Sequence, residues 1–148
     1  MAGYGLPNEQ HLSVVLQNNL SLEGYNIEVI NGSVSGSTTA GGLNIAEWTL
    51  SENNIDLMIL CLGANDMLRG INPKETKNNL IEIIKIAKSK NIKVIIAGMI
   101  APTSHGTNYK KSFDKIFKDL SNEYELQLIP FLLEGVAQKP EFNLSDGM

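Results

Sequence analysis

Two uncharged hydrogen-bond donors suggest the first chemistry to consider. One is the backbone amide of Gly36, in the glycine- and serine-rich stretch 31–39; the other is the carboxamide of Asn65, in Gly63-Ala64-Asn65-Asp66. Fixed neutral donors of this kind stabilise the charge that develops on a carbonyl oxygen, as an oxyanion hole does. Asp146 is of the type that orients a histidine and stabilises its imidazolium. Nucleophile and base are harder to find. His11 falls within a helical pattern and reads as a solvated helix residue. His105 follows an apolar run and is the better placed of the two histidines, though loop histidines commonly just face water. Ser33, Ser35 and Ser37 imitate nucleophiles, but serines in such a loop routinely cap the helix it opens. Cys61 lies inside an apolar run and reads as a small buried hydrophobe. Two isolated histidines and no carboxylate cluster make no metal ligand set. Taken singly, Gly36 is a turn glycine, Asn65-Asp66 a turn or helix cap, and Asp146 a solvated loop residue. Trp48 reads as core, and Lys85, Lys88, Lys90 and Lys93 as a solvated helix end and strand start.

These groups need elements to hold them. Leu12, Val15, Leu16 and Leu20 carry helical spacing, with Pro7 before and Gly24 after, which predicts a helix over 8–22. Residues 26–30 read as a short strand. The glycine-rich loop then opens a helix through Leu43, Ala46 and Leu50. The run 55–62 is almost wholly apolar, as in a strand covered on both faces. Pro73 starts a helix carrying Leu80, Ile83, Ile84 and Ala87. A second buried strand follows at 92–99, then a helix through Phe113, Ile116, Phe117 and Leu120, and a last strand at 126–130. Helices alternating with apolar strands imply an α/β domain with a parallel sheet between helical layers. Ligands bind such sheets at the carboxyl ends of the strands, where Gly36, Asn65, His105 and Asp146 all fall.

Composition excludes several classes. The 148 residues suit one domain, 1–148, which on folding buries roughly 68–70% of the surface its unfolded chain exposes. Lys plus Arg is 12 against 16 for Asp plus Glu, a net charge of −4, so the basic footprint of a nucleic-acid binder is absent. A single cysteine rules out an internal disulfide framework. Apolar runs fall well short of the ~18 residues that span a bilayer, so no stable membrane insertion is expected. The pattern opens on a helix with no strand before it and closes in a loop, and both ends read as cut.

Taken together, the blocks resemble the SGNH (GDSL-type) hydrolases, in particular the bacterial arylesterase and thioesterase/lysophospholipase branch. Ala2-Gly3-Tyr4-Gly5-Leu6-Pro7 is similar to the segment after that family's Gly-Asp-Ser-Leu block. Val29-Ile30-Asn31 through Ser35-Gly36 resembles the second block, whose glycine gives its amide to the oxyanion. Leu62-Gly63-Ala64-Asn65-Asp66 resembles the third, whose asparagine gives its side chain. Leu68-Arg69-Gly70-Ile71 and the segment 129–137 are similar to others of the branch. Asp146-Gly147-Met148 resembles the start of the last block, where an aspartate precedes the catalytic histidine by three residues. Order and spacing of the blocks carry the resemblance. Ser37 stands where the branch often has aspartate, and Met67 where it has a small residue.

The resemblance implies a three-layer, flavodoxin-like SGNH hydrolase fold, here without its first strand and last helix. It implies a serine hydrolase of small esters, thioesters or lysophospholipids working through an acyl-enzyme, with no cofactor. Gly36 and Asn65 would form the oxyanion hole, and Asp146 would orient a histidine. The family's serine and histidine match no position in the chain, so 1–148 alone is expected to be inactive. The resemblance hints at a periplasmic or secreted location. Two other readings stand: a phosphate- or nucleotide-binding domain cradling its ligand in 31–42, and a non-catalytic relative that keeps the cleft.

Overall fold

The computed structural model describes residues 2–51, 54–137 and 139–142. They fall into two compact units, Met1–Ser37 and Thr38–Met148.

In the first unit a 3-10 turn, Asn8–Gln10, leads into α1, Leu12–Leu22. His11 is the N-cap of α1 and not a residue inside it; its Nε2 lies 3.2 Å from the Leu6 carbonyl. α1 ends where Gly24 takes φ +85°, and the Tyr25 amide donates back to the Leu20 carbonyl at 3.0 Å. The strand expected at 26–30 does not form. A strand needs a ladder partner, and among the described residues none pairs with this segment. The Gln17 side chain takes that place, donating to the Ile27 carbonyl at 2.9 Å and accepting from the Val29 amide at 2.7 Å.

In the second unit the helices and strands that apolar periodicity predicts all form, α2 (Thr39–Thr49), β1 (Leu57–Leu60), α4 (Pro73–Ser89), β2 (Lys93–Ala97), α5 (Thr107–Tyr124) and β3 (Gln127–Ile129), together with a short helix it does not predict, α3 (Ala64–Leu68). The three strands are parallel in the order β1-β2-β3, with Ile59 beside Ile95 and Ile96 beside Leu128. Register puts Leu60, Val94 and Ile96 on one face, buried with Leu80 and Ile84 of α4 and Phe113, Phe117 and Leu120 of α5. The opposite face carries Leu57 and Ile59, 47% and 36% exposed.

Local chemistry sets the helix ends. Asn72 caps α4 by accepting from the Lys74 amide at 2.9 Å, and Pro73 fills the first position, where no amide hydrogen is needed. The other end closes with Asn91 at φ +60°: the Ile92 amide reaches the Ala87 carbonyl at 3.0 Å, and the Asn91 amide reaches Lys88 at 3.0 Å. Side chains at 80, 83, 84 and 87 form the buried stripe that the spacing predicted. Trp48 departs from expectation. It is 80% exposed, because the buried positions of α2 are Thr39 and Ala46 and the helix turns its indole outward. The lysines do more than face water: Lys88 donates to the Tyr124 carbonyl at 3.0 Å and Lys90 pairs with Glu47 at 3.5 Å.

Candidate active site

The segments that follow β1 and β2 carry two of the candidate residues, Asn65 and His105. β1 runs out through Cys61 and Leu62 to Gly63, whose φ of +109° starts α3. A side chain at 63 would be strained by that backbone angle and would press on the Phe117 ring at 3.3 Å. Glycine therefore lets α3 begin directly above the aromatic core. Asn65, half-buried, lies in the first turn of this five-residue helix, at a position where the sequence predicts a loop.

Its neighbour Asp66 is fully buried, and sequence reasoning missed its importance. One carboxylate oxygen accepts from the Thr39 amide at 2.8 Å. The other accepts from the Thr39 hydroxyl and from the Thr76 hydroxyl, the latter at 3.3 Å. Asn79 Nδ2 donates to Thr39 Oγ1 at 3.0 Å. These partners lie up to 40 residues apart in sequence, beyond the reach of local motif reading. The available signal was composition: a threonine in the first turn of each flanking helix and a carboxylate after Asn65.

The loop after β2 is held by a second network. The Ala101 amide donates to Asp114 at 2.8 Å, and Lys110 bridges the Ala101 carbonyl and Asp114, both at 2.7 Å. His105 closes a 3-10 turn there, Thr103–His105. Its ring lies 5.2 Å from the Tyr109 ring, centroid to centroid, and packs against Gly70. The Tyr109 hydroxyl donates to the Ile71 carbonyl at 2.9 Å. Burial, and after it the nearby Asp66 charge, push the Tyr109 phenol up, so it remains a donor at neutral pH. Among the described residues no hydrogen bond joins His105 to a serine or a carboxylate. Its contacts with Tyr109 and Gly70 brace the loop.

The remaining candidates resolve as follows. Gly36, in the first unit, takes φ +71° in a turn where the Ser37 amide donates to the Val34 carbonyl at 3.2 Å. Ser33 and Ser35 are exposed; the cap of α2 is Thr38, whose hydroxyl accepts from the Gly41 amide at 3.3 Å. Cys61 is partly buried against the core, and burial pushes its thiol up, which disfavours the nucleophilic thiolate. Asp146 lies outside the described residues. Among the described residues no helix is long and apolar enough to cross a membrane.

With β1, its glycine exit and Asn65 in place, the class of the protein follows. The chain belongs to the GDSL-like lipase/acylhydrolase family, whose model matches residues 1–148, and it is an ester hydrolase of the SGNH type. It is 37% identical over 147 residues to an arylesterase of Vibrio mimicus, covering 99% of this chain and 74% of that one. To esterase TesA of Pseudomonas aeruginosa it is 34% identical, covering 99% and 73%. The crystal structure of AlinE4, an SGNH-hydrolase family esterase, superposes with a TM-score of 0.93 at 37% identity, over 99% of this chain and 79% of that one. The fold is accordingly the α/β sandwich with a parallel sheet.

Proposed function

We propose that residues 1–148 form one hydrolase domain that supplies the oxyanion-binding side of a serine esterase or thioesterase. Its substrates would be small esters, thioesters or lysophospholipids. The observation that carries this reading is the family match along the whole chain, with Asn65 on the first turn of α3, the next element after β1. The names of similar proteins support this substrate range: arylesterase, esterase, and the thioesterase 1/protease 1/lysophospholipase L1 of Escherichia coli, 32% identical over 120 residues.

In this reading the Gly36 amide and the Asn65 carboxamide bind the carbonyl oxygen as it becomes an oxyanion. Asp146 orients a histidine that takes the proton of the attacking serine and returns it to the leaving group. Water then releases the acyl group from the serine. Serine and histidine of the family's triad match no position among residues 1–148, so those residues by themselves do not turn over.

The test of the oxyanion role needs a protein that does turn over: residues 1–148 joined to the family's serine and histidine blocks. There Asn65→Ala should lower kcat about 10²–10³-fold and leave KM nearly unchanged, as loss of one oxyanion donor does. A rise in KM at constant kcat would assign Asn65 to ground-state binding and sink the proposal.

A further inference from the structure

We propose that Asp66 is a positioning residue for Asn65, pinning α3 to the first turns of α2 and α4 through Thr39 and Thr76. The inference rests on the reading of Asn65 as the oxyanion donor and adds what holds that donor still. A five-residue helix cannot hold its own conformation in water, since helix nucleation is unfavourable and propagation over so few residues does not recover it. α3 therefore needs an external anchor, and its one fully buried polar side chain is Asp66.

The anchor is directional. Thr39 is the first residue of α2, Asp66 the third of α3 and Thr76 the fourth of α4. Three helix amino ends, each carrying partial positive charge, converge on one carboxylate. Thr39 grips it with both its amide, at 2.8 Å, and its hydroxyl. Because Asn79 donates to that hydroxyl oxygen at 3.0 Å, the hydroxyl's single proton is committed to Asp66. Thr76 adds a donor from α4 at 3.3 Å. With residue 66 fixed from two directions, the adjoining residue 65 of the same turn has little freedom left.

Amide hydrogen exchange and side-chain 15N relaxation on the 148-residue chain test this in Asp66→Asn and Thr76→Val. We expect the amides of Thr39, Met67 and Arg69 to exchange about three- to tenfold faster, the size of one lost hydrogen bond. The Asn65 carboxamide should become more mobile, while the Ile96 amide in β2 and the Leu120 amide in α5 exchange as before. Thr76→Ser, which keeps the hydroxyl, should restore the parent pattern. Unchanged Asn65 mobility in both variants would overturn the proposal. So would an equal acceleration at Thr39, Ile96 and Leu120, which would make Asp66 a stabiliser of the whole fold that positions nothing in particular. If Asp66→Asn does not fold, Thr76→Val decides, since it leaves the carboxylate and both Thr39 bonds in place. No substrate enters the measurement, so failure of the oxyanion role at Asn65 would leave a positive result standing, and the reverse holds as well.

Discussion

Residues 1–148 alone are expected to hydrolyse p-nitrophenyl acetate no faster than the full-length protein, completed by the family's serine and histidine blocks, with its serine replaced by alanine. In a comparable serine hydrolase, loss of the triad costs about 10⁶ in kcat and leaves roughly 10³–10⁴ over water from oxyanion stabilisation and binding. A second histidine could rescue turnover only within hydrogen-bond reach of a hydroxyl, about 2.6–3.2 Å. His105 is committed elsewhere, its ring beside Tyr109 and against Gly70. Ser33 and Ser35 belong to an exposed turn, with the Ser33 amide bonded to Asn31 Oδ1 at 3.0 Å. A steady-state p-nitrophenol assay decides the matter. Turnover clearly above the serine-to-alanine control and abolished by His105→Ala would mean that the chain has assembled a different catalytic pair.

The second large effect is on stability. Phe113→Ala should cost about 3–5 kcal/mol, the range for truncating a fully buried aromatic ring. Phe113 is wholly buried and stands midway in an aromatic column. It stacks on Tyr109 at 6.0 Å and meets Phe117 edge-on at 5.7 Å. It also packs beneath Gly63, at the start of α3. Deleting the ring opens a void that the rigid sheet and α4 fill only in part. At about 2–4 °C per kcal/mol for a chain of this size, the melting temperature should drop roughly 6–20 °C. Urea denaturation would show a lower midpoint at unchanged slope. Tyr109→Phe, which removes only the hydroxyl bond to Ile71, gives the scale, at about 0.5–1.5 kcal/mol. If Phe113→Ala costs no more than Tyr109→Phe, the column is not where the core is held.

Much of the architecture was legible because its signals are local. The stripe at 80, 83, 84 and 87 repeats within one helix, and the run 55–62 needs no distant partner to be recognised as apolar. Residues 26–30 show the limit: alternation and β-branching suit a strand, but a strand is a relation between two segments, and Gln17 supplies the bonds instead. Trp48 fails differently, since a large apolar side chain on a helix gives no sign of which way that helix is turned once Thr39 and Ala46 face inward. Asn65 was legible through a block of five residues. Asp66, one position on, was not, because its meaning comes from Thr39 and Thr76, 27 and 10 residues away.

The outer side of β1 has a consequence for handling the molecule as a colloid. Among the described residues no strand pairs with it there, and Leu57 and Ile59 stand exposed beside that open row of amides and carbonyls. Such an edge is a template on which another extended chain can add. What keeps copies apart is long-range repulsion, and a net charge of −4 spread over 148 residues supplies little of it. Acidification titrates that charge away and salt shortens its reach, so shelf life is set less by the depth of the native well than by pH, ionic strength and how often two edges meet.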